Sequence, residues 1–494
     1  MRGVARIGSG LAVALASVAV LGAGATPARA DTGVLTKLLG EGGSFAEAIT
    51  DKLQADSAND IAPLVPQYFD PNVSVAMDDF ASGAADYGVT EVPLTSTQAG
   101  IAQGIGRKFA YVPFAASAVT IGAVVECSND TVLKSTTMCP NLQVTMPQLA
   151  EIFGGEVSAW NDPSLAKIGG GSPISPTNSS VDVTPRVLID PTVANLVLEQ
   201  AFVADPTAKT LWDSYLTNLK ITDDTPSLSW PSDTGISGGD PVLVQKLVPI
   251  DPNTNAVVPN PQLWGQGLVA PIPIDWQGAP RNVPTIAIQN GAKAFVSPTP
   301  AAETAALNDA TFDATTNLVT FQNSTTDAAA YPLMAMSYLV VPTTGLSADK
   351  ATALATYIKF VLGSQGQQDI ESFGAIPPTQ PMITAGLAVA NEVAAEATSV
   401  SSSSGTTGTS TTGTSASTGE TAGTGGSGTA GVTTASDTGP TLAATGADTA
   451  PVVAAGVLLA AAGLLGRRRL LRRVAAGARV DGSGPGPGDR RRPR

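Results

Sequence analysis

An α/β fold is predicted for residues 31–396 by three features of the sequence. Strand-like and helix-like runs alternate, the strand runs are continuous apolar stretches, and the helix runs carry capping residues at their ends. In chain order, "KFAYVPFAASAVTIGAVVE" (108–126) is rich in alternating and β-branched apolar residues and reads as a long strand. "MPQLAEIFGG" (146–155) reads as a helix with Pro147 in its first turn, Leu149, Ile152 and Phe153 on one face, and Gly154 as its stop. "PRVLIDPTVANLVLEQAF" (185–202) places one arginine and the trio Asp190-Pro191-Thr192 just ahead of an apolar-periodic helix. Unpaired backbone N–H groups and the macrodipole favour anions at such a start. "YPLMAMSYLVV" (331–341) reads as a buried strand, and the helix after it starts at Ser347 as N-cap with Ala351, Leu354, Ile358 and Val361 as its core stripe.

The two ends of the chain differ from this head. Residues 1–30 carry Arg2 and Arg6, an apolar run and Ala28-Arg29-Ala30, the pattern of a secretory signal cut after Ala30. Residues 397–441 are a Ser/Thr/Gly-rich, low-complexity stalk that has too little apolar surface to offset its ordering entropy. As a flexible chain it would reach about 35–40 Å. Residues 442–473 hold "LAATG" and the apolar run Pro451–Leu465, followed by a basic tail to residue 494. Fifteen residues span about 22 Å as a helix, against roughly 30 Å of hydrocarbon. The order of pentapeptide, apolar run and arginines resembles the LAxTG-type cell-wall sorting signal of Gram-positive, actinobacterial-type cells. The resemblance implies Leu442, Thr445 and Gly446 as the signal residues, with a sortase cutting after Thr445. A retained transmembrane span at 451–465 is the alternative. Either form places the head outside the cell, attached to wall or membrane.

Charge and missing residue types narrow the function. Of 27 basic residues, three lie in the signal segment and ten in the tail, whereas only Asp448, Asp481 and Asp489 of the 41 acidic residues lie outside the exported part. That part is strongly acidic, which disfavours nucleic-acid backbones and anionic membrane surfaces. The sequence has no histidine, so a Ser-His-Asp triad, a histidine base and the usual zinc sites are excluded. Cys127 and Cys139 are the only cysteines; in an exported chain they read as a short-loop disulfide, with a catalytic thiol as the alternative. No cofactor or metal is expected, and the chain is not expected to be an enzyme.

Several runs resemble the PstS family of phosphate-binding receptors of ABC importers, in the family's order. They are "GGSFAEAI" from Gly42, "DYGVTEVPLT" from Asp86, "FAYVPFAASAVTIG", "LAEIFGGEVSAWNDPSLAKI", "VPTIAIQNGAKAFVSPT", and "YPLMAMSYLVV" with "IKFVLGSQGQQDIESFGAIPPT". The resemblance implies a two-lobed type II periplasmic-binding-protein fold with a two-strand hinge. Residues 31–113 and 331–396 would form lobe 1 and residues 114–330 lobe 2, with the ligand cleft between them. Within the closest run, Trp160 reads as a packing anchor and Asn161-Asp162-Pro163 as a turn into a helix.

The resemblance also implies a ligand shell for phosphate or a related oxyanion. Ser44 and Phe45 fall on the family's first glycine-rich loop, supplying a hydroxyl and backbone N–H groups. Glu91 falls on the aspartate that accepts the phosphate's proton. Ser82 stands in an abbreviated version of a second helix-start loop. Arg186 and Thr192 match the family's R-S-D-G-S-G-T, but Asp190 and Pro191 replace its serine and glycine. Proline removes an N–H, and an ionised Asp190 would repel an anion. At about 4 Å and a dielectric near 20 that repulsion is worth roughly 4 kcal/mol. Three readings of the loop stay open: a salt bridge from Arg186 to Asp190 that mimics the anion, a plain helix cap at Asp190-Pro191, or a cationic or zwitterionic solute. The functions expected are oxyanion capture by a surface-anchored receptor, with an ABC permease as partner, or a surface protein whose degenerate head no longer binds phosphate.

Overall fold

The computed structural model describes residues 36–61, 64–127, 137–138, 142–165, 182–232, 235–251, 258, 267–278 and 282–403. The described residues all fall within one compact unit. The signal segment, the stalk from residue 404 on, the sorting signal, the terminal apolar run and Cys139 lie outside the described residues, as does the pairing expected for Cys127 and Cys139; residues 397–403, expected to begin the flexible stalk, instead continue the last helix, Gln380–Ser403. Among the described residues no helix is long and apolar enough to cross a membrane.

The head opens with strand β1 (Thr36–Glu41), a single 3-10 turn at Ser44–Ala46, helix α1 (Glu47–Asp60), β2 (Leu64–Phe69), α2 (Val73–Ser82), β3 (Tyr87–Thr90) and α3 (Ser96–Gly104). The long strand β4 (Phe109–Val124) follows, then the short strands β5 (Glu126–Cys127), β6 (Thr137–Met138) and β7 (Gln143–Val144). Next come α4 (Met146–Phe153), β8 (Thr184–Pro185), α5 (Val193–Ala204), α6 (Pro206–Asn218), α7 (Gly239–Leu247) and β9 (Leu268–Pro273). Strands β10 (Ala287–Gln289) and β11 (Phe295–Val296), helix α8 (Pro300–Asp309), and the hairpin β12 (Thr311–Asp313) and β13 (Leu318–Thr320) precede β14 (Met334–Pro342). Helices α9 (Ala348–Val361), α10 (Ser364–Ser372) and α11 (Gln380–Ser403) close the described chain.

The sequence-predicted elements fall where their chemistry placed them. Thr145 caps α4 in a reciprocal capping box with Gln148, and Leu149, Ile152 and Phe153 are buried. Ser347 accepts the Lys350 N–H at the start of α9, whose Ala351, Leu354, Ile358 and Val361 are buried. Every residue of β14 is buried. Trp160 is 1 % exposed and its indole N–H donates to the Gly267 carbonyl, so it is the packing anchor expected. Asp162 accepts the Ser164 N–H in the turn that enters a 3-10 segment at Pro163–Leu165.

Seven strands form one sheet in the order β2-β1-β3-β14-β4-β9-β8. β1 pairs in parallel with β2 and β3, β14 runs antiparallel to both β3 and β4, and β9 runs antiparallel to β4 and parallel to β8. β4 is shared along its length: Phe109 to Ala118 faces β14, and Val119 to Val124 faces β9. It thereby ties the β1–β3 side to the β8–β9 side. The β14–β4 register slips at Ser337/Tyr338, where Ser337 opposes Ala115 and Tyr338 opposes Pro113, leaving Phe114 as the extra residue. Pro113 has no N–H to give the ladder, so a bulge here costs less than elsewhere, and it re-aims the side chains beside it. A main apolar core runs through both sides of the sheet, and a smaller cluster joins α7 to β9 through Leu243, Val244, Leu247, Ala270 and Ile272.

Candidate functional site

Helix α7 starts against the Ser44 turn, and the packing is close because two consecutive glycines precede Asp240. Gly238 and Gly239 have φ of +115° and +79°, a region that side-chain-bearing residues rarely adopt. A Cβ at Gly239 would lie 3.2 Å from the Ser44 Cβ and 3.5 Å from the Asp70 Oδ2. This approach brings a serine and several carboxylates to one place. The Ser44 hydroxyl donates to Asp240 Oδ2 at 2.7 Å, and the Asp240 N–H donates back to Ser44 Oγ at 3.2 Å. Asp240 is 1 % exposed, and its Oδ1 has no hydrogen-bond partner among the described residues. Phe45, next to Ser44, is buried in the core, and the Tyr68 hydroxyl holds the turn by donating to the Gly43 carbonyl at 2.8 Å.

Asp190 reaches the same helix start from the other side. Its carboxylate accepts from the Ser237 hydroxyl at 2.9 and 3.0 Å and from the Gly238 N–H at 2.6 Å. An aspartate thus takes the donors that a helix N-terminus would offer to an anion. The cap of α5 belongs to a different residue. Thr192 is its N-cap, accepting the Ala194 N–H at 3.4 Å, while its own N–H donates to the Leu228 carbonyl. The expected cap at Asp190-Pro191 is therefore displaced by two residues, because Pro191 lies ahead of the helix and the threonine hydroxyl satisfies the first turn. Arg186 is exposed, its N–H pairs with the Val269 carbonyl, and among the described residues it makes no salt bridge to Asp190. Of the open readings, the salt bridge between them is not formed, and Asp190 bonds Ser237 and Gly238 instead.

Glu91 lies beyond β3, where its Oε1 accepts the Ser337 hydroxyl at 3.1 Å. The donor comes from the residue at the β14 bulge. Burial pushes the Glu91 carboxyl up to about 8; the Ser337 hydrogen bond opposes this, and the nearby Asp240 and Asp70 charges add to it. Burial likewise raises Asp240 to about 7, with Asp275, Asp70 and Glu47 adding repulsion against the Ser44 hydrogen bond. Asp70 rises to about 6 through burial and the Asp190 charge. Desolvation is the largest cause for each of the three, and the charges that add to it are those of other carboxylates.

The expected site residues are thus only partly assembled. Ser44 stands at the start of α7, Asp190 binds that same start, and Glu91 is within the electrostatic reach of Asp240. Ser82 is set apart: it ends α2 ahead of the left-handed Gly83, is exposed, and donates to the Asp79 carbonyl. No helix opens there, so the second helix-start loop is absent. Sequence reasoning missed Asp70, Ser237, Gly238, Gly239 and Asp240. The string "SGGDP" carried a usable signal, since paired glycines before Asp-Pro mark a helix start with close backbone approach. Among the described residues no group of three or more carboxylate or cysteine side chains could hold a metal ion.

No family model and no curated protein matches the sequence. Solved structures do. The chain is similar to PfluDING, a high-affinity periplasmic phosphate-binding protein solved with phosphate at pH 8.5, with 14 % identity, 71 % of this chain and 92 % of that chain covered, and a TM-score of 0.50. It is similar to the ancestral soluble variant of the human phosphate binding protein, at 12 % identity over 71 % and 93 % of the two chains, TM-score 0.50. The phosphate-binding protein from Stenotrophomonas maltophilia aligns at 16 % identity over 72 % and 93 %, TM-score 0.48. At these identities the likeness concerns the fold, a mixed α/β architecture shared with phosphate-binding proteins. Each of these neighbours is named as a phosphate-binding protein.

Proposed function

We propose that this chain is a cell-surface solute-binding protein whose head keeps the fold of phosphate receptors and does not capture phosphate at neutral pH. Its two lobes, residues 31–113 with 331–396 and residues 114–330, meet where Ser44 bonds Asp240. The observation that carries the reading is Asp190, whose carboxylate already accepts from Ser237 Oγ and the Gly238 N–H. A phosphate arriving there would have to displace a hydrogen-bonded carboxylate and sit beside it. Glu91 works against phosphate as well, because a carboxyl raised to about 8 is largely protonated at neutral pH and is a poor acceptor for the phosphate's proton. The competing reading, oxyanion capture for an ABC permease, is favoured by the likeness of fold to proteins that bind phosphate. Attachment through Leu442, Thr445 and Gly446 by a sortase, or through the apolar run 451–465, belongs to the same proposal. A wall-fixed stalk of about 40 Å suits a stationary surface protein better than delivery to a permease.

Calorimetric titration of the full chain with inorganic phosphate tests this. The wild type is expected to give no binding heat at millimolar phosphate and pH 7. Replacing Asp190 by serine and Pro191 by glycine together removes the repulsion, worth up to about a thousandfold in affinity, and micromolar binding is expected. Tight phosphate binding by the wild type would refute the proposal and establish the competing reading.

A further inference from the structure

Glu91 also borders a cavity of about 400 Å³ that the phosphate comparison does not account for. Its walls come from the Glu91–Pro93 loop, the first two turns of α5, strand β13 and the start of β14, and they are mostly apolar, with Leu196, Val197, Phe321, Met336 and Tyr338 among them. No lysine or arginine lines it. Its volume and composition are those of a small-molecule site, an apolar chamber with few oriented polar groups. Among those groups Glu91 is the one able to carry charge. Its Oε1 accepts the Ser337 hydroxyl, and the Glu91 backbone also hydrogen-bonds the carboxyl. Asp240 on α7 and Asp70 after β2 add negative potential at Glu91, and the Tyr68 and Tyr338 hydroxyls are the other titratable groups around it. With Glu91 as its ionisable group and no lysine or arginine in its lining, such a chamber suits an organic cation better than an anion.

We propose that this cavity binds a small primary amine with a compact apolar body, the ammonium paired to Glu91 and the body lodged against Leu196, Phe321 and Met336. The inference rests on the reading that the cleft takes a solute other than phosphate, and it names the chemical class of that solute. An aromatic body is well served, because Phe321 and Tyr338 supply ring surface. Binding of the ammonium requires Glu91 to ionise. Glu91 starts near 8, so below that pH each binding event releases a proton to solvent and affinity rises with pH, by up to tenfold per unit, levelling above about 8.

The test is calorimetry on the full chain with 2-phenylethylamine, phenylacetate and inorganic phosphate as probes, repeated in buffers of different ionisation heat. The amine is expected to bind at millimolar or lower concentration, to release close to one proton at pH 7, and to bind more tightly at mildly alkaline pH. Phenylacetate is expected not to bind. Glu91→Gln keeps the shape and the Ser337 hydrogen bond and is expected to weaken the amine at least tenfold; Leu196→Trp, which fills the cavity without touching Glu91, is expected to do the same. No amine heat, equal binding of phenylacetate, or unchanged affinity in Glu91→Gln each overturn the inference. Silence from both amine and phosphate defeats this inference alone, whereas phosphate heat from the wild type defeats the reading it rests on.

Discussion

Asp190 and Asp240 meet the start of α7 from opposite sides and use its polar groups between them. Asp190 binds the α7 start from outside the helix, and Asp240 holds Ser44 from within its first turn. The two differ in how pH acts on them. Asp240 has a native pKa of about 7, well above an unfolded aspartate, so the folded state retains a proton that the unfolded chain has lost. Its contribution is fully present below about pH 4 and is lost as pH rises toward 7. Asp240→Asn, which supplies a permanently neutral group of the same shape, is expected to remove this dependence, worth on the order of 4 kcal/mol at most between those limits. Denaturant unfolding at pH 5 and pH 8 measures it: the variant should gain stability relative to wild type at the higher pH, and an unchanged pH difference would contradict the assignment.

At the scale of elements, the start of α7 and the start of α5 set the site, and they fail differently when altered. Thr192→Ala removes the N-cap of α5 and is expected to cost about 1 kcal/mol, read by thermal or chemical unfolding. Gly239→Ala places a side chain at φ +79° and 3.2 Å from Ser44, so it is expected to cost about 1–2 kcal/mol of backbone strain and to push α7 from the Ser44 turn. A Gly239→Ala variant as stable as wild type would show that the close approach is not required. These elements also explain what the sequence made readable. Helices α4 and α9 and strands β4 and β14 have local signatures, a cap, a stop and a periodic or continuous apolar run, so they were legible from one sequence. The Ser44–Asp240 contact spans 196 positions and depends on two glycines of unusual φ, and nothing local to Ser44 announces its partner. Arg186 misled in the opposite sense, since its family-like position suggested an ion pair with a residue that the fold hands to Ser237 and Gly238.

Across the described residues, carboxyls with raised pKa values recur. Besides Asp70, Glu91 and Asp240, burial lifts Glu199 and Glu303 to about 8 and, with Asp79 beside it, Glu41 to about 7. Glu199 accepts the Ser227 N–H and Glu303 the Ala118 N–H through one oxygen, and the other oxygen of each has no hydrogen-bond partner among the described residues. All six bind protons more tightly in the folded chain, so between about pH 4.5 and 8 folding takes up protons and stability falls as pH rises. The sequence has no histidine to oppose this trend by titrating in the same window. The head is therefore expected to melt several degrees higher at pH 5 than at pH 8, which a calorimetric scan at both values would measure. A higher melting temperature at pH 8 would contradict the protonated state assigned to these groups.

The most direct measurement is a crystal structure of the chain grown in millimolar phosphate at neutral pH. The Asp190 carboxylate should remain on Ser237 and the Gly238 N–H, with no phosphate at the start of α7. A phosphate accepting that N–H, with Asp190 turned away, would contradict the account.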